Sequence, residues 1–170
     1  MGLGGGSLMA RYAFKAGDDW ALKLSRLATG QKQVAGKAIY AGAKAVADKI
    51  KNSIESLPEE SFRYLHGDDK FSGVPKEQKK DLADSFGVAS IDVDKNGDYN
   101  TKLGFDGYGS HPSKKYPQGL PNQLLARAIE SGSSVRKKRP FVRPAVTATK
   151  KSAQAEMARV IDEETEKIMK

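Results

Sequence analysis

The chain has 170 residues, with 29 lysines and arginines against 21 aspartates and glutamates, a formal net charge of +8. Its 38% hydrophobic and 29% charged residues suit one domain with a modest core and long segments left for solvent or partners. The absence of cysteine excludes disulfides and thiolate metal sites, and no apolar run reaches the roughly 18 residues that a membrane span needs.

Residues 1–10 read as a flexible Gly-rich arm, without the basic and apolar regions of a secretory signal, ahead of a single α+β domain over 11–170. Tyr12 and Phe14 alternate with polar neighbours, which predicts a short strand near 11–15. Asp18 and Asp19 suit the first turn of a helix over about 18–28, with Trp20, Leu24 and Leu27 on one face and Thr29-Gly30 ending it. A long Ala-rich helix is expected from about 31 to 56, with Ile39, Val46, Ile50, Ile54 and Leu57 as its larger apolar positions. Its small residues (Gly36, Ala38, Gly42, Ala43 and Ala47 among them) permit close approach of another backbone, either within the domain or from a neighbouring subunit.

Pro58 stops that helix, and the polar stretch 58–80 reads as an extended, mobile loop, followed by a helical turn over 80–85. Residues 86–105 carry the clearest strand signal, a hairpin turning at Lys95-Asn96-Gly97. That turn pairs Val93 with Tyr99, Ile91 with Thr101 and Ala89 with Leu103, and puts Gly97 where a left-handed residue is wanted. A second extended loop, rich in Gly, Pro and Tyr, covers 106–121 and carries Lys114 and Lys115. A short helix over 122–130 has Leu124, Leu125 and Ile129 as its apolar side. Pro140 and Pro144 each disfavour helix in the preceding residue, which predicts an extended Phe141-Val142 and a short strand near 140–143. The last helix follows over about 144–169, with Ala153, Met157, Val160, Ile161, Glu164 and Ile168 facing inward and Glu163 paired with Lys167 outside.

The residues with chemical potential point away from catalysis. Asp92, Asp94 and Asn96 fit the opening of a calcium loop, but the twelfth position is Leu103 and the flanks read as strands. His66 and His111 stand alone in predicted loops, no Gly-x-Ser-x-Gly elbow is present, and the paired carboxylates are adjacent in sequence, so they point apart. No enzyme, cofactor or metal is expected. The strongest electrostatic feature is Arg136, Lys137, Lys138 and Arg139 with Arg143. It fits an acidic neighbouring subunit or a solvated loop, and less readily DNA phosphates.

Glu130-Ser-Gly132, followed by Arg139-Pro140-Phe141-Val-Arg-Pro144-Ala145 and a terminal helix, resembles the siphophage tail-component family of tail-completion proteins, which includes the lambda-type minor tail protein Z. In that family a Glu-x-Gly turn precedes an Arg-Pro-Phe-hydrophobic-x-Pro-Ala segment. The resemblance implies a virion structural protein of the neck, forming a ring, expected to be hexameric, between the tail terminator and the head-side connector or stopper. It implies assembly in the host cytoplasm, homo-oligomeric contacts and non-specific contact with passing duplex DNA, with no membrane. A basic nucleic-acid-binding module is the competing expectation.

Overall fold

The computed structural model describes residues 18–170, and the expected arm at 1–10 and strand at 11–15 lie outside them. The fold is α+β. Four helices run α1 (Asp18–Glu55), α2 (Lys76–Ser85), α3 (Asn122–Ser131) and α4 (Val142–Met169), with one interrupted antiparallel hairpin between α2 and α3.

The first correction concerns α1. The predicted break at Thr29-Gly30 does not occur, and one helix of 38 residues, about 57 Å long, replaces two. The Thr29 hydroxyl donates to the Ser25 carbonyl one turn back, so it satisfies itself without leaving the helix. The larger cause is tertiary. Helix α4 lies antiparallel along α1, with Ile168 against Gly30 and Met157 against Gly42, and packing outweighs a glycine's propensity cost of about 1 kcal/mol. A β-carbon on Gly42 would stand 2.6 Å from Met157 Cγ and 3.3 Å from the Ala153 carbonyl, so the backbones meet where side chains are smallest. Gly36 receives Ile91 of the hairpin in the same way, so Gly30, Gly36 and Gly42 serve contacts within the domain. Leu24 stays half exposed, and Trp20's side chain is not among those described.

The hairpin comprises β1 (Phe86–Val88), β2 (Asp92–Val93), β3 (Tyr99–Asn100) and β4 (Leu103–Phe105). Its turn is the predicted one: Gly97 has φ +85°, and the Asp94 carboxylate accepts the N–H groups of Asn96 and Asp98. Asp94 of the calcium-like pattern thus serves the turn. Val93 pairs with Tyr99 as expected, but Leu103 pairs with Val88 and not with Ala89. Ala89, Ser90 and Ile91 oppose only Thr101 and Lys102, so one extra residue bulges between the two ladders. The shift lets Phe86 and Phe105 face each other, ring centroids 5.1 Å apart, both buried. Without the bulge Phe86 would oppose Asp106.

The segment 58–80 is not a free loop. Val74 donates to Pro58 and Glu60 to Val74, and the Glu60 carboxylate accepts the N–H groups of Ser72 and Gly73. Those donors hold its pKa below the usual carboxylate range. Phe71 and Val74 are buried, and α2 already starts at Lys76, because Leu82 gives it one fully buried anchor. The predicted loop at 106–121 does lack regular structure, but it is closed and not extended. Gly109 donates to Leu120, Asn122 to Gly107, and Ser110 docks on Asp81 of α2.

Ile50 and Ile54 of α1, Leu57, Val74, Leu82, Phe86, Phe105, Leu125, Ala126, Ile129, Phe141 and Ala145 form one core. Leu124, expected inside, is 44% exposed. On α4, Glu163 pairs with Arg159, while Lys167 pairs with Glu164, which also takes Lys37 across the helix interface; the predicted Glu163–Lys167 pair does not form. Ile161 is 42% exposed.

Candidate functional site

The segment from Glu130 to Ala145 links α3 to α4, and its geometry follows from one side chain. A helix start leaves its first N–H groups without partners inside the helix. At α4 these are met from another helix. Glu130 Oε2 accepts from Phe141 N at 2.7 Å and Val142 N at 2.9 Å, and Oε1 accepts from Arg143 N at 3.0 Å. Pro144 comes next and has no N–H to satisfy.

This contact corrects the expected strand near 140–143. Phe141 is the residue preceding the helix, with φ −133° and ψ −28°, and Val142 is already helical. Pro144's preference against helix at Arg143 is overridden because the Glu130 carboxylate draws three successive N–H groups to one point, a geometry that the first turn of a helix supplies. Burial alone would raise the Glu130 pKa, but the three backbone donors and the Arg143 charge, 3.9 Å away, carry it below the usual carboxylate range.

Gly132 ends α3 with φ +79°, which only glycine adopts without strain, and the turn closes through Ser133 N to the Arg136 carbonyl. Arg139 N donates to the Ile129 carbonyl at 2.7 Å, bringing the chain back against α3. Phe141 then enters the core, its ring 6.0 Å from Phe105, and Ala145 is buried one turn later. Glu130, Gly132, Phe141, Pro144 and Ala145 therefore form one connected device, while Pro140 is an exposed residue of the linker before it.

The basic run divides. Arg136, grouped by sequence with the interface candidates, is only 8% exposed and belongs to the fold. Its guanidinium lies 5.7 Å above the Phe71 ring, donates to the Gly73 carbonyl and reaches Gln78 Oε1. The backbone on either side bonds Phe71 as a parallel bridge, with Phe71 N to Val135 O and Lys137 N to Phe71 O both at 2.9 Å. Burial lowers the Arg136 pKa, opposed by the Glu60 charge. Lys137, Lys138, Arg139 and Arg143 are exposed, and Arg139 donates through Nε to the Ser72 carbonyl. Lys114 and Lys115 are exposed on the 106–121 loop, away from that run in sequence, with Lys115 over the Tyr116 ring.

His111 sits exposed, with Nε2 3.0 Å from Glu77 and Nδ1 3.0 Å from the Ser110 hydroxyl, and His66 packs edge-on to Tyr64. Among the described residues no group of three or more His, Cys, Asp or Glu side chains is placed to hold a metal ion, and no helix is long and apolar enough to cross a membrane.

A surface that the periodicity did not single out lies where α1 and α4 extend past the core. Leu24, Leu27, Ala28 and Ala35 of α1, with Ile161 of α4, line an apolar groove of about 460 Å³. It lies roughly 30 Å along α4 from the basic segment. The signal was there in the i, i+3, i+4 spacing, but the expected break at residue 29 divided it. No family model matches the chain, and neither does any curated protein or solved structure.

Proposed function

We propose that this protein is a structural subunit of a phage virion neck, a tail-completion or head–tail joining protein that assembles into a ring, and that it works as a building block and not as a catalyst. One observation carries the reading: the residues that resemble the tail-completion pattern act together physically. Glu130 caps α4, Gly132 makes the turn, Phe141 and Ala145 enter the core, and Pro144 fits the capped turn.

The distribution of surfaces supports the same reading. A ring needs a heterologous interface, in which one patch meets a different patch on the next copy. Exposed Lys137, Lys138, Arg139 and Arg143 stand near one end of α4, and the apolar groove beside Ile161 stands near the other. Tail terminator and head-side connector proteins are the further partners this role implies.

Electron microscopy of the purified protein, alone and mixed with tail-end proteins, tests the proposal. Rings of uniform stoichiometry are the expected outcome, with six subunits the expected number. A protein that stays monomeric in both preparations overturns it.

A further inference from the structure

A cleft of about 450 Å³ opens between the last turns of α1 and the chain leading into α4. One wall is a single helical face: Lys49, Asn52, Ser53 and Ser56 follow the spacing i, i+3, i+4, i+7. The other wall is Lys138-Arg139-Pro140, and Phe141 with Leu57 forms an apolar base. The volume lies within the range of roughly 300–1,000 Å³ typical of small-ligand sites.

The charge in this cleft is one-sided. Among the described residues no carboxylate lines it. Lys44, Lys79 and Lys80 each have a carboxylate within salt-bridge distance, whereas Lys49 and Lys138 have none among the described residues. Arg139 uses Nε on the Ser72 carbonyl, which fixes the guanidinium. Glu59 is engaged by Lys79, and Glu130 by three backbone N–H groups. The Glu55 carbonyl that ends α1 and the Leu57 carbonyl just beyond it, which would repel an anion, are covered by Lys79, whose Nζ donates to both. The Ser53 and Ser56 hydroxyls donate back into their own helix, so the donors left for a ligand are Lys49, Asn52, Lys138 and Arg139.

We propose that this cleft binds a phosphate group, and specifically a phosphodiester of a duplex DNA backbone, held by Lys49, Lys138 and Arg139. It joins two parts of the chain about 90 residues apart, and Lys49 and Asn52 belong to no basic run in the sequence. A phosphate contact reads charge and position and carries no base sequence by itself. The proposal does not depend on ring formation.

Fluorescence anisotropy with a short labelled DNA duplex over a salt series tests it. Each phosphate contact contributes about 0.9 to the slope of log K against log salt. Lys49→Gln with Lys138→Gln is expected to lower that slope by roughly 0.9, the share of the one phosphate that the cleft holds, while Lys114→Gln with Lys115→Gln leaves it unchanged. Both pairs are exposed, and far-UV circular dichroism checks that each variant folds. Binding that survives Lys49→Gln with an unaltered slope overturns the proposal, as does a wild-type protein that binds neither the duplex nor inorganic phosphate at low salt. Inorganic phosphate that binds at the cleft, seen by the Lys49 and Lys138 side-chain resonances, while the duplex does not, overturns the DNA source and keeps the phosphate site. A monomer that binds duplex through the cleft removes the ring and leaves this proposal standing, so the two readings fail separately.

Discussion

Replacing Glu130 by alanine removes the acceptor for three N–H groups at once. Hydrogen bonds to a charged acceptor contribute roughly 1.5–3 kcal/mol each, but three bonds to one carboxylate are not additive. Phe141 N is buried and is left without a partner, Val142 N is partly buried, and water reaches Arg143 N most easily. The expected loss for Glu130→Ala is therefore about 3–5 kcal/mol, a fall in Tm of about 10 °C for a chain of this size. Glu130→Gln keeps an oxygen in the Oε2 position for Phe141 and Val142 and presents an amide to Arg143 N, so about 1–2 kcal/mol is lost.

The pH dependence has a definite sign. The folded-state pKa of Glu130 is depressed, so its contribution is fully present above the unfolded value near 4.3 and is lost as pH falls through the folded value. Wild type should lose stability in that acid window relative to Glu130→Gln, whose amide does not titrate. Denaturant unfolding of the three proteins between pH 3 and 7 measures both effects. Glu130→Ala within 0.5 kcal/mol of wild type, or wild-type and Gln profiles that run parallel below pH 5, would refute the capping argument.

Three further outcomes follow from the packing. Arg136→Met leaves the Gly73 carbonyl and Gln78 without their donor and should cost about 2–3 kcal/mol in urea unfolding, while Lys137→Met beside it stays within about 0.5 kcal/mol. Gly42→Ala drives a β-carbon into Met157 and should destabilise by about 1–2 kcal/mol, whereas Gly30→Ala meets only the movable end of Ile168 and gains helix propensity, raising Tm. Opposite signs in one helix are the measurable point, read by thermal unfolding of both variants. Lys79→Met uncovers the Glu55 and Leu57 carbonyls and removes the Glu59 pair, an expected loss of about 1–2 kcal/mol by the same assay.

Local signals in the chain were enough for the hairpin turn, the extent of α3, and the inward positions Ile50, Ile54 and Ala153. Each depends on neighbours within a few residues: Asp94 and Gly97 make the turn, and apolar spacing marks the buried face. Helix α2 was half hidden, because Leu82 is its only buried residue and one anchor makes no period. The bulge at Ala89–Ile91 was hidden too, because alternation looks the same on either side of an inserted residue until Phe86 and Phe105 are seen to pair.

The sequence by itself determined an α+β chain with a basic segment beside a terminal helix, since composition, periodicity and turn chemistry are properties of adjacent residues. Only the tertiary structure decided which of those residues work together. Gly30 continues a helix because α4 lies against it, Arg136 leaves the basic surface because Phe71 and Gly73 enclose it, and Glu130 caps a helix 11 residues away. Lys49 joins Lys138 across a cleft in the same way. These pairings are contacts between segments distant in sequence, and no local pattern records which distant partner a side chain will meet.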